Sequence, residues 1–214
     1  MLMISNIKLT IFDKDGTLVK PASGQKFVQN PTDQRLLPGV AELIAELKKS
    51  GSKIAIASNQ GGVAAGHKSP SDEQAEMLFL KSLLPEIDLI ISCPDFEGQT
   101  LYQLRFYSRA GEAPIESLNN RCHTETYRRE NHDCYLSANG RYDSFRKPGA
   151  GMLQWAIQHF EIPKAFIGDR PEDREAIYIG DRPEDREAAA GARIAFVDAI
   201  AWRSRQIVIN TVIA

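Results

Sequence analysis

Short apolar runs alternate with stretches of helical periodicity along this chain. Residues 7–12 form a β-prone apolar run that ends at Asp13 and predicts a buried strand. Pro38-Gly39 precedes Val40, Leu43, Ile44 and Leu47 at helical spacing, and Lys48, Lys49 and Gly51 mark the end of that helix. Residues 53–57 (KIAIA) predict a second strand, residues 71–84 a helix, and residues 87–92 (IDLIIS) a third strand. Residues 149–160 predict another helix, with Met152, Leu153, Ala156, Ile157 and Phe160 as its apolar positions. Two strand candidates follow, AFIG and IYIG, then a helix over 184–192 and a strand over 194–197. Strands alternating with helices predict an α/β fold, a Rossmann-like doubly wound parallel sheet covered on both faces. Ligands of such sheets lie beyond the carboxyl ends of the strands, where Asp13, Ser58 and Asp169 or Asp181 all fall.

Two stretches break this rhythm. Residues 93–146 have weak periodicity and many Arg and aromatic residues, and predict an insertion or extended loop region rather than more of the sheet. Arg with interleaved aromatics can contact phosphates and stack bases. Acidic residues also fall here, which favours a small separate core with a solvated charged face. The second irregularity is a repeat: residues 167–176 and 179–188 both read IGDRPEDREA. Two copies are too few for a solenoid, and one structural position takes one copy.

The 214 residues suit a single domain, 1–214, with room for one modest insertion. A formal charge of -2 excludes a global basic field for nucleic acid but leaves a local groove open. Three cysteines (Cys93, Cys122 and Cys134) cannot all pair within the chain, so free thiols in a reducing, cytoplasmic setting are expected. The start, MLMISNIKLTIF, runs straight into a strand without a cationic leader and is not expected to be a signal peptide. No apolar run approaches the roughly 18 residues of a membrane span.

The chemistry concentrates in residues 12–19, FDKDGTLV. A strand delivers Asp13 and Asp15, two residues apart, to the sheet edge on one side. Gly16 permits a sharp turn, and Thr17 offers a hydroxyl to the turn or to a neighbouring carboxylate. Two close carboxylates repel unless a cation sits between them or one is protonated. Both solutions suit phosphoryl transfer.

DKDGTLV resembles the first motif of the haloacid dehalogenase superfamily, and further motifs follow in the family's order. Ser58 and Asn59 after KIAIA resemble the second motif, Lys147 in RKPGAGM the third, and GDRPED the fourth. The resemblance spans about residues 7–202 apart from 93–146, and implies the family's α/β fold with little or no cap. It implies a magnesium-dependent phosphatase with Asp13 as nucleophile and Asp15 as acid and base. Mg2+ would be held by Asp13, the Asp15 backbone carbonyl and a fourth-motif Asp. Ser58, Asn59 and Lys147 would hold phosphoryl oxygens, with Thr17 and Gln60 beside them. Either Asp169 with Asp173, or Asp181 with Asp185, can fill the fourth motif. The second copy runs into a helix and strand, which favours Asp181.

Some relatives carry a zinc loop, so Cys93, Cys122, His123, His132 and Cys134 are candidate ligands. Their spacing matches no compact zinc knuckle, which favours unligated side chains. Residues 23–33 and the Asn59-Gln60-Gly61 turn are similar to polynucleotide 3′-phosphatase domains. The resemblance therefore leaves two substrates open, a nucleic-acid 3′-phosphate end and a small sugar or amino-alcohol phosphate. No membrane partner is expected, and the oligomeric state is open. A different class, a binding module with an impaired site, is disfavoured because Asp13 and Asp15 are both present.

Overall fold

The computed structural model describes residues 2–5, 7–106, 122–128, 135–136, 140–162 and 175–210. Its centre is a seven-stranded sheet. The strands are β1 (Leu9–Phe12), β2 (Lys53–Asn59), β3 (Leu89–Cys93), β4 (Thr100–Phe106), β5 (Cys122–Arg128), β6 (Ala176–Gly180) and β7 (Ala195–Asp198). Their order across the sheet is β7-β6-β1-β2-β3-β4-β5. The first five in that order are parallel neighbours, and β4 and β5 are antiparallel. The helices are α1 (Val40–Lys49), α2 (Pro70–Leu83), α3 (Gly151–His159), α4 (Pro183–Gly191) and α5 (Ala199–Arg203).

The continuous apolar runs follow from burial on both faces of a parallel sheet. Every residue of β1, β3 and β6 is buried. Strand alternation still shows in which core each side chain joins. Leu9, Ile11, Ala55, Ala57, Leu89, Ile91 and Tyr178 pack on one face with Met152, Leu153 and Ala156 of α3 and Ala188 and Ala189 of α4. Phe12, Ile54, Ile56, Ile90, Ile177 and Ile179 pack on the other with α1, with Met77 and Leu80 of α2, and with Trp202 of α5. The sheet is therefore doubly wound, as the pattern predicts.

Element ends differ by a few residues. β2 continues through Ser58 and Asn59, which pair with Ser92 and Cys93 of β3. α2 starts at Pro70 because Ser69 caps it: the Ser69 Oγ accepts from Asp72 N (3.1 Å), and the Asp72 carboxylate accepts from Ser69 N (3.1 Å). The larger correction concerns residues 93–146, which do contribute more of the sheet, as β4 and β5. Their signal is masked because one buried position of β4 is polar. Gln103 is fully buried, accepts from Trp155 Nε1 (2.5 Å) and donates to Glu125 Oε2 of β5 (3.0 Å). The AFIG candidate lies outside the described residues. Leu2–Ser5 and Ile207–Asn210 pair in parallel as a separate two-stranded sheet. Among the described residues no helix is long and apolar enough to cross a membrane.

β2 and β3 lie on one side of β1, and β6 and β7 on the other. A crevice opens at the carboxyl ends of such neighbours, where the connections diverge. Phe12, the last residue of β1, is anchored below that crevice by the Trp202 ring at 4.9 Å. Trp202→Ala is expected to cost about 3–5 kcal/mol in urea unfolding, as a large buried side chain lost from a packed core does; a cost under about 1 kcal/mol would show that α5 is not part of this core.

Candidate active site

The Asp13 backbone N–H donates to Ile179 O of β6 (2.9 Å), which fixes Asp13 just past β1. The chain then closes a tight loop, with Leu18 N and Val19 N both donating to Lys14 O. Gly16 is required in this loop. Its φ is +87°, and a Cβ there would fall 2.2 Å from Asp181 Oδ2. The loop thus presses directly on the carboxylate that follows β6. Thr17 Oγ1 donates to Asp181 Oδ1 (3.3 Å).

Lys147 reaches the same point from the segment before α3. Asn59, at the end of β2, grips its backbone twice: Asn59 Nδ2 donates to Lys147 O (3.0 Å), and Lys147 N donates to Asn59 Oδ1 (3.0 Å). The side chain is then aimed inward. Its ammonium donates to Asp13 Oδ1 (2.5 Å), Asp185 Oδ1 (2.7 Å) and the Tyr178 hydroxyl (2.8 Å). Three protons thus meet three acceptors. Tyr178 in turn donates to Asp185 Oδ1 (3.1 Å). The second oxygen of Asp185 accepts from the backbone N–H groups of Asp181 (3.2 Å) and Arg182 (3.1 Å), so the same carboxylate caps α4. Gly180 leaves room for it, since a Cβ there would lie 2.5 Å from Asp185 Oδ2.

Burial and like charge set the electrostatics. Burial pushes the Asp13 carboxyl up to about 6; Lys147 pulls against that shift and Asp185 adds to it. Burial opposes the charge of Lys147, but Asp13 and Asp185 outweigh it and raise its pKa, so the ammonium stays charged. Asp181 is raised by burial and by Asp185. One oxygen each of Asp13, Asp181 and Asp185 lies within 4.8 Å of the others. Three clustered hard oxygen donors, with one lysine among them, fit a small divalent cation such as magnesium.

The structure therefore brings Asp13, Lys147 and Asp181 together. Asp15 stands beside them with its carboxylate on Lys14 Nζ (2.7 Å). Burial alone would raise Asp15, but Lys14 outweighs it and the net shift is downward. Ser58 is buried, and its Oγ accepts from Gln60 Nε2 (2.9 Å). Thr17 and Asn59, expected near substrate, are engaged instead with Asp181 and with the Lys147 backbone. Asp169 and Asp173 lie outside the described residues, as do the side chains of Cys122, His123, His132 and Cys134. Cys93 is buried, donates to Asp95 O (3.5 Å), and has its thiol pushed up to about 12 by burial. That favours the protonated thiol over the thiolate a metal takes.

Tyr178, Lys14, Glu76 and Lys68 are the site neighbours that sequence reasoning passes over. Tyr178 carries a weak signal, a lone hydroxyl in the apolar run IYIG. Asp185 is visible only as the second aspartate of GDRPED, although it is the partner that keeps Lys147 between two carboxylates.

The family model described as polynucleotide kinase 3 phosphatase matches residues 8–199. A D-glycero-beta-D-manno-heptose-1,7-bisphosphate 7-phosphatase of Pseudomonas putida is 25% identical over 177 residues, covering 79% of this chain and 76% of the relative. The enzyme of the same name from Haemophilus ducreyi is 27% identical over 175 residues, covering 78% and 74%. Among solved structures, a D,D-heptose 1,7-bisphosphate phosphatase of B. bronchiseptica complexed with magnesium and phosphate shares the fold. Its TM-score is 0.56 at 22% identity, over 89% of this chain and 79% of that one.

Asp13 strains the fold it sits in. Its folded-state pKa, about 6, lies above its ordinary value of 3.8. The folded state therefore holds a proton that the unfolded state loses, and stability falls as pH rises from near 4 to near 6. Asp13→Asn is expected to lose the fall in stability that the parent shows between pH 4 and pH 6 without divalent cations. Urea unfolding at pH 4 and pH 7.5 checks this, and a variant whose stability falls over that range as far as the parent's contradicts it.

Proposed function

The chain belongs to the polynucleotide kinase 3 phosphatase family, and from that premise we propose that Asp13 is the nucleophile of a magnesium-dependent phosphomonoester hydrolase. The observation that carries this reading is the Lys147 ammonium held between Asp13 and Asp185 at the carboxyl ends of β1 and β6. Asp13, pushed up to about 6, is mostly ionised at neutral pH and able to attack. Its carboxylate oxygen bonds to phosphorus as the bond to the ester oxygen breaks, giving an aspartyl-phosphate. Asp15, which Lys14 keeps ionised in the free enzyme, takes the proton of the bound monoester monoanion and passes it to the departing oxygen, then takes one from the water that cleaves the intermediate. Inorganic phosphate leaves and Asp13 is restored. Lys147, with Ser58 and Gln60 beside it, holds the phosphoryl oxygens where charge spreads in the transition state. Thr17 orients Asp181, and Asn59 orients Lys147. Magnesium would be held by Asp13 and Asp181, beside Asp185, and would neutralise phosphate charge.

For substrate, we favour a small phosphorylated sugar, because the curated relatives are named as heptose-bisphosphate phosphatases. A nucleic-acid 3′-phosphate end is the second reading, supported by the family model over residues 8–199.

Asp13→Asn should hydrolyse p-nitrophenyl phosphate at least ~10³-fold more slowly than the parent, as expected for loss of a nucleophile; parent-like turnover would exclude the nucleophile role. Sugar phosphates and 3′-phosphorylated oligonucleotides, compared by kcat/KM at two salt concentrations, separate the substrate readings, since only the polymer should weaken steeply with salt. In a magnesium titration, Asp181→Asn should need several-fold more magnesium for half-maximal rate while Asp169→Asn stays near the parent. The reverse order would assign the site to the first copy of the repeat.

A further inference from the structure

Behind Asp15 lies a buried chain of charges that ends at active-site residues in both directions. Glu76 of α2 is 2% exposed, and both of its oxygens are paired. Its Oε1 accepts from Lys14 Nζ (2.5 Å), and its Oε2 accepts from Lys68 Nζ. Lys14 is fully buried and donates also to Asp15 Oδ1 (2.7 Å). Lys68 donates also to Gln60 Oε1 (3.0 Å), and Gln60 Nε2 donates to Ser58 Oγ (2.9 Å). The line Asp15–Lys14–Glu76–Lys68–Gln60–Ser58 is unbroken. Gln34 Nε2 donates to Glu76 O (2.9 Å) and holds that turn of α2 in place.

Stability alone does not explain such an arrangement. Two lysines brought to one buried carboxylate lose much hydration, and replacing buried ion pairs with apolar groups is often neutral or favourable. Long lysines also lose rotamer freedom when fixed. What the arrangement supplies is geometry. Lys14 takes one oxygen of Asp15, whose side chain stays part exposed. Lys68 fixes Gln60, and Gln60 fixes Ser58. Removing Glu76 releases both lysines together.

We propose that Glu76 is a positioning residue that aims Asp15 at the leaving oxygen through Lys14 and holds Ser58 at the phosphoryl group through Lys68 and Gln60. The inference rests on the acid role of Asp15 and the phosphate role of Ser58 given above. It assigns to α2, which contributes no group to the acidic cluster, control of both.

The test compares an alkyl phosphate monoester, whose leaving group needs a proton, with p-nitrophenyl phosphate, whose leaving group departs without one. In the full chain, Asp15→Asn should lose far more kcat on the alkyl ester than on the aryl ester. Glu76→Gln should show the same selectivity at smaller size, with about a tenfold fall in kcat on the alkyl ester and under about threefold on the aryl ester. Lys68→Met, at a partly exposed side chain, should raise the inhibition constant of inorganic phosphate several-fold and affect both esters equally. If Asp15→Asn itself loses both esters alike, the acid role fails and the mechanism above goes with it. If Asp15→Asn is selective and Glu76→Gln lowers both esters equally, or neither, the positioning role is overturned. Should Glu76→Gln fail to fold, Lys68→Met decides: an unchanged phosphate inhibition constant overturns the proposal.

Discussion

One buried ammonium group makes the acidic crevice possible. Asp13, Asp181 and Asp185 bring carboxylates within 4.8 Å of one another, two of them from buried residues. Such a cluster repels itself out of a low-dielectric site unless positive charge is placed inside it. Lys147 supplies that charge, and its three hydrogen bonds use every proton it has. Removing one partner of a buried pair costs about 3–5 kcal/mol, because the remaining charge is left uncompensated. The position of Lys147 is itself secured from outside the cluster, by the two bonds that Asn59 makes to its backbone. A residue at the end of β2 thereby sets the charge balance at the ends of β1 and β6.

Asp185 shows how local helix chemistry and site chemistry share one side chain. One oxygen caps the N-terminus of α4, and the other meets Lys147 and Tyr178. Its position follows from the sequence GDRPED, in which proline starts the helix and the acid three residues after Arg182 folds back on the backbone. The glycine before Asp181 allows that approach. The second copy of the repeat can do this because it leads directly into α4 and β7.

Much of this was readable from residue order. β1, β2, β3 and β6 announce themselves as apolar runs, and the polar residues that follow β1, end β2 or follow β6 are the ones the crevice gathers. Asp13 was legible from the paired carboxylates of DKDG, whereas Lys147 and Asp181 were legible only through the resemblance of their motifs, in order, to a known family. Tyr178 and Glu76 were not. Each sits in an ordinary strand or helix, and each acts only because a residue far away in sequence comes within hydrogen-bond reach. Lys14 was hidden for another reason: strand alternation puts it on the opposite side from Asp13 and Asp15, yet its long side chain returns to Asp15. β4 escaped notice because its buried Gln103 answers to Trp155, 52 positions further on.

The account stands on Asp13 accepting the phosphoryl group. The direct measurement is to mix enzyme, magnesium and a phosphate monoester, quench in acid within the first turnover, reduce with borohydride and map the peptides by mass spectrometry. The account predicts homoserine in place of Asp13, formed by reduction of its acyl phosphate, and only when substrate was present. Reduction at another carboxylate, or at none while substrate is being hydrolysed, would contradict it.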